Sequence, residues 1–127
     1  MPDIRGNWKC VATRATDMQG NPASPPFGPH PMGLVHFGPE RMMSVVGDNR
    51  PAMPEGAPRL FQSYGGRYSF DGTTLVTRVD FASEASRVGG EQVRTVRFEG
   101  ELMVLCPPPR LVEGQMVRQE LFWQRMA

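Results

Sequence analysis

Apolar and polar residues alternate with a period of two along most of the chain. Near the start, Trp8, Cys10 and Ala12 fall on one side and Lys9, Val11 and Thr13 on the other. Successive side chains of a strand point to opposite faces of its sheet, so this alternation marks strands with one buried face. Bounded by Gly and Pro, the pattern predicts eight strands: 7–14, 32–38, 42–47, 64–70, 74–82, 91–98, 101–106 and 116–125. Val, Thr, Phe and Tyr are frequent in them, and these residues suit a pleated, half-buried surface. No stretch of useful length has a 3.6-residue period, and "APRLFQS" (57–63) reads as one short helical turn.

Short and long connections alternate strictly. "GPER", "DGT" and "EG" are tight hairpin turns joining strands two to three, four to five and six to seven. "TDMQGNPASPPFGPHP", "DNRPAMPEGAPRLFQS", "SEASRVGG" and "PPPRLVEGQM" are long. In an up-and-down meander, alternate connections lie at opposite ends, so the tight turns form a floor and the long loops a mouth. Eleven of the thirteen prolines sit in three of these long loops, which stiffens them as a rim. Eight antiparallel strands can close into a barrel that removes its own edges and leaves an interior for side chains or one small ligand. The expected fold is therefore all-β, an eight-stranded antiparallel up-and-down barrel with long loops at one open end, spanning residues 1–127 as one domain.

Taking the more apolar face as inward assigns the interior. The first strand offers Trp8, Cys10, Ala12 and Arg14, and the second and third Val35, Phe37, Met43 and Val45. The fourth and fifth offer Tyr64, Gly66, Tyr68, Phe70, Leu75, Thr77, Val79 and Phe81. The last three offer Gln92, Arg94, Val96, Phe98, Leu102, Val104, Gln119, Leu121 and Trp123. Phe37, Phe70, Phe98, Leu75, Leu102 and Trp123 gather toward the floor as a packed core. Tyr64, Tyr68, Gln92, Arg94 and Gln119 collect in the mouth-side half, with Thr77 at mid-depth. An apolar pocket with a few convergent polar groups is the usual form of a small-molecule site.

Arg94 is the most informative of them. An inward arginine keeps its charge, and burying it without a partner is costly. Glu91, Glu120 and Asp80 all point outward on this assignment, so a ligand anion, a carboxylate or an enolate, is the expected partner of Arg94. A structural bond to Tyr, Gln or backbone is the competing reading. The last strand returns to the floor beside the first, which brings Arg125 over the indole of Trp8 in a cation–π contact that seals the barrel.

Composition narrows the function. The net charge is +1 with acids and bases interspersed, which excludes the basic cluster that nucleic acid requires. No run of about 18 apolar residues would span a membrane as a helix. "MPDIRGNWK" lacks the apolar core of a signal peptide, so the cytoplasm is the expected compartment. Cys10 and Cys106 fit no metal spacing and read as reduced, apolar strand residues. With only His30 and His36, a histidine metal site is not expected, nor is any cofactor.

Gly6-x-Trp8 on the first strand together with Arg125 at the end of the last resembles the lipocalin (calycin) signature. More closely, "GNW", "MGLVHFGPERMMSV", "FQSYGGRYSFDG", "EQVRTVRFEGELMVLCPPP" and "LFWQR", in that order, resemble the small bacterial lipocalin-like domain family over nearly the whole chain. The resemblance implies a barrel and a cavity but no reaction. Thr77 and Arg78 stand where the family often has a histidine, so no role of that histidine carries over. Arg41 replaces the glycine usual in the turn after the second strand.

Two function classes follow from the interior. One is a binding protein for a small, largely apolar molecule with an anionic or carbonyl oxygen at Arg94, using Gln92, Tyr68, Tyr64, Thr77 and Gln119. The other is a cofactor-independent isomerase, cyclase or hydratase, with Tyr68 as a candidate general acid activated by Arg94. A third class, a pure interaction module, would show a filled interior. The apolar outward residues Val11, Val76, Met103, Leu105 and Phe122 make a homodimer through one barrel side an expectation.

Overall fold

In the computed structural model, which describes residues 2–112 and 114–127, β1 begins at Gly6 with φ of 120°. A side chain at Gly6 would meet the Arg125 guanidinium at 3.1 Å, so glycine is what lets the end of the chain cross this point. The strands are β1 (Gly6–Asp17), β2 (Pro31–Phe37), β3 (Arg41–Asp48), β4 (Phe61–Phe70) and β5 (Thr74–Ala82). A 3-10 turn, Ala85–Arg87, precedes β6 (Glu91–Glu99), β7 (Leu102–Cys106), a short β8 (Arg110–Val112) and β9 (Gln115–Arg125). Neighbours pair antiparallel from β1 to β7, then β7 with β9, and β9 pairs back onto β1. That last pairing closes an eight-stranded barrel, and β8 is a short flap hairpinned on the mouth-side end of β9.

The tight turns and both chain ends share the floor. Arg125 lies over Trp8, its Cζ 4.3 Å from the ring centroid. Its two terminal nitrogens donate to the carbonyls of Arg5 (2.7 Å) and Asp3 (2.6 Å), while the Trp8 indole donates to Ile4 O at 2.9 Å. The core above it includes Val35, Phe37, Met42, Leu75, Val79, Val96, Met103 and Trp123.

Several strands turn a different face inward than alternation alone assigns. In β1 the register slips between Cys10 and Ala12, a bulge that leaves Val11 unmatched. Beyond it Ala15 and Asp17 point inward, while Ala12 is exposed and Arg14 lies outside against Glu120. In β3 the inward residues are Met42, Ser44 and Val46, not Met43, which is 46% exposed, or Val45. "RMMSVVGD" has apolar residues in both phases, and the pairing of Val35 with Ser44 and Phe37 with Met42 decides between them. In β5 a slip opposite Gly65 and Gly66 turns Phe81 outward, where its ring lies over Gly65. In β7, Met103 and Leu105 face the barrel core, because Met103 pairs between Phe98 and Trp123; Val104, in the opposite phase, is fully buried all the same, and Leu102 is half-buried. Residues 61–63 open β4 as strand, so the expected helical turn is absent there.

The mouth is roofed rather than open. Phe27, from the β1–β2 loop, is 4% exposed and belongs to the core. The loops are knitted by two aspartates. Asp48, 1% exposed, accepts from Arg50 N, Nε and Nη2, and Arg59 donates to the carbonyls of Asp48 and Arg50. Asp17 accepts from the amides of Gln19 (2.9 Å) and Asn21 (2.8 Å).

Candidate functional site

β6 carries Arg94 on its inner face, in register with Leu75 of β5. Its side chain is partly buried, with Cζ 5.8 Å from the Tyr64 ring centroid. Nη2 donates to Gln92 Oε1 at 2.9 Å and Nη1 to the carbonyl of Val93 at 3.0 Å. Burial pulls its pKa below the ordinary arginine value, with Tyr64 opposing and Arg87 adding to the fall. Among the described residues, no carboxylate pairs with it. Its protein partners are neutral acceptors, so the charge itself is left uncompensated.

Arg94, Tyr64 and Gln119 line one internal void of about 50 Å³, together with Phe27, Ser44, Val46, Gln62, Leu105, Pro107, Leu121 and Trp123. Such a space has room for ordered water. Two polar atoms in the interior lack a partner among the described residues: Trp123 Nε1, on the void's lining, and Thr77 Oγ1. Thr77 is 1% exposed and pairs across the sheet with Gln92. A buried donor left unbonded costs about 1–3 kcal/mol, which makes these atoms places where a polar guest is favoured.

A family model of a lipocalin-like domain matches residues 5–126, nearly the whole length of the barrel just described. The chain belongs to the lipocalin-like domain family. No curated protein and no solved structure matches it. For this lipocalin-like domain the family supports small-molecule binding as the general role of the barrel and carries no particular ligand.

The residues singled out from the sequence divide into two places. Arg94, Tyr64 and Gln119 meet at the void, Gln92 is bonded to Arg94, and Thr77 lies buried beside Gln92. Tyr68 does not join them and sits at the floor instead of the mouth side. Its hydroxyl donates to Gly38 O at 2.6 Å, and its ring meets Phe37 edge-on at 5.2 Å. The expected and the observed β4 both end at Phe70, beside the tight turn to β5, so Tyr68 lies two residues from the floor and a full four residues beyond Tyr64. Burial raises the Tyr68 pKa, the opposite of what a general acid activated by Arg94 needs.

The other lining residues carry no mark as site residues in the sequence, and for four of them the reason is plain. Ser44 is hidden by the ambiguous phase of β3, and Gln62 by its position in what reads as a loop. Phe27 belongs to a long connection, and the indole N–H of Trp123 is masked by an otherwise apolar role. Elsewhere, His36 Nδ1 meets Asn7 Oδ1 at 2.7 Å on the outside, and His30 is exposed. Both cysteines are free thiols, and burial pushes Cys10 up to about 11. Among the described residues no cluster could hold a metal ion, and no helix is long and apolar enough to cross a membrane.

Proposed function

We propose that this domain binds a small, largely apolar molecule through a carboxylate, enolate or carbonyl oxygen that meets Arg94. One observation carries the reading: a guanidinium drawn into the barrel wall, bonded only to neutral acceptors, beside a void on whose lining the Trp123 N–H has no partner among the described residues. An anion there forms charge-assisted hydrogen bonds, which are about twice as strong as neutral ones. Tyr64 flanks the guanidinium, while Gln119, Ser44 and the Trp123 N–H offer further polar contacts around the same space.

The alternative, cofactor-independent isomerisation, cyclisation or hydration, draws less support. Proton transfer needs a positioned base, and the void's described lining contains no Asp, Glu or His. Binding is therefore the reading supported best.

A thermal-denaturation series with octanoate and benzoate tests it. A ligand that binds only the folded state raises Tm with concentration. The expected result is a concentration-dependent rise for the wild type that Arg94→Ala abolishes. Equal shifts in both proteins, or none in the wild type, overturn the proposal.

A further inference from the structure

The barrel wall has a notch, and its cause is the run Pro107-Pro108-Pro109. β7 ends at Cys106, immediately before it. Proline has no N–H to donate to a ladder and is excluded from strand interiors. Between this point and β8, which takes up the edge of β9 again at Val117, no strand bridges β6 and β9 among the described residues. Residues 91–94 of β6 pair only with β5, and Arg118–Glu120 of β9 pair only with β1. The ladder bonds confirm the direction: Val96 N to Thr73 O and Val79 N to Gly90 O point even-numbered β6 groups at β5, so the amide and carbonyl of Val93 face the notch. The Arg94 guanidinium donates to that same carbonyl.

Outside the notch lies a cleft of about 580 Å³, with Val93, Thr95 and Arg97 on one bank, Arg118 and Glu120 on the other, and Cys106 and the prolines along its base. Small-molecule pockets span roughly 300–1,000 Å³, so the cleft is of ligand size and the 50 Å³ internal void is not. Gln119 and Pro107 line both spaces and form the partition between them. The mouth, meanwhile, is roofed by Phe27.

We infer that the ligand lies across this notch: its oxygen-bearing head passes Gln119 and Pro107 to Arg94, and its apolar tail occupies the outer cleft. The inference rests on the binding reading above and deepens it. The ligand class is an extended amphipathic acid with a tail of several carbons, admitted through the side of the barrel. A compact metabolite sealed inside does not fit the volumes. Val93 and the proline run give the tail carbon to lie against, while Arg97 is held aside by Glu99 and Glu120.

Calorimetric titrations with butanoate, octanoate, dodecanoate and 1-octanol test this in wild type, Arg94→Ala and Val93→Trp. Val93 is 38% exposed on the outer face, so a larger residue there fills the cleft without entering the core. Thr95→Trp on the same bank serves as the second variant should Val93→Trp unfold. In the wild type, affinity should rise about two- to fourfold per methylene. In Val93→Trp, butanoate should bind as before while the rise with chain length flattens. A full length dependence in Val93→Trp overturns the cleft. If octanoate and 1-octanol bind alike, with Arg94→Ala indifferent and Val93→Trp blocking both, the cleft stands and the Arg94 reading falls. No binding of any probe to the wild type overturns both.

Discussion

At Gly66 the backbones of β4 and β5 come so close that a methyl group would lie 1.8 Å from the carbonyl oxygen of Arg78. The obstacle is main chain within a paired sheet, so it cannot swing aside as a long side chain would. Gly66→Ala is expected to cost about 3 kcal/mol, the upper part of the range for forcing extra volume into packed structure. Urea denaturation measures it, and a loss below about 1 kcal/mol would show that the bulge opposite Gly66 relaxes freely. At the floor, Arg125 combines two carbonyl bonds with an indole face. Arg125→Ala should cost about 1–3 kcal/mol, and Arg125→Lys should recover only part, since an ammonium cannot span both carbonyls. A lysine variant as stable as the wild type would contradict that division. Arg94 makes neutral bonds of the same kind, to Gln92 Oε1 and the Val93 carbonyl, but within its own strand, where Arg125 joins the two ends of the chain; its place on the lining of the void is what the binding proposal uses.

At the scale of strands, alternation was readable wherever one phase was clearly more apolar. β2, β6 and most of β4 follow it, and Trp8 and Cys10 follow it until the bulge. β3 and β7 did not reveal their faces, because Met42 and Met43, or the run from Leu102 to Leu105, are apolar in both phases. Only cross-strand pairing chooses there, and pairing is a property of two strands at once. The bulges at Val11 and opposite Gly65 leave no residue-type mark strong enough to read, yet each inverts the remainder of its strand. Arg94, Tyr64 and Gln119 sit on strands whose phase is legible, and the structure brings them to one void, whereas the phase of Ser44 is not; Tyr68 has the expected face, but its distance along β4 puts it at the floor. The notch adds an expectation for β6. The Val93 amide faces it, whereas Gln92 and Arg94 are paired toward β5. Hydrogen exchange at Val93 should outrun both neighbours, and protection equal to theirs would mean that the wall is closed at this point.

For the whole molecule, the loops over the mouth depend on ionised carboxylates. Hydrogen bonds from Arg50 hold Asp48 below its ordinary pKa, and the amide of Asn21 does the same for Asp17. For Glu120, burial pushes upward, but Arg14 and Arg97 together outweigh it and the net shift is down. Each depressed carboxyl binds protons more readily in the unfolded chain than in the folded one. Their stabilisation is therefore complete above about pH 5 and is lost as pH falls below about 4 toward the folded-state values. Tm should be flat from neutrality to about pH 5 and then drop. Asp48→Asn should lower Tm at pH 7 and soften the acid decline, and an unchanged acid limb would remove Asp48 from this account.

The barrel supplies a sealed floor, a roofed mouth and a wall interrupted between β6 and β9 beyond Cys106, where Arg94 has no carboxylate partner among the described residues. The most direct test is a crystal structure of the domain grown with octanoate. The expected result is a carboxylate within hydrogen-bond distance of the Arg94 guanidinium, with the alkyl chain running out past Gln119 and Pro107. A carboxylate bound elsewhere, with Arg94 still turned to Gln92 and Val93, would contradict the assignment of this arginine to a ligand.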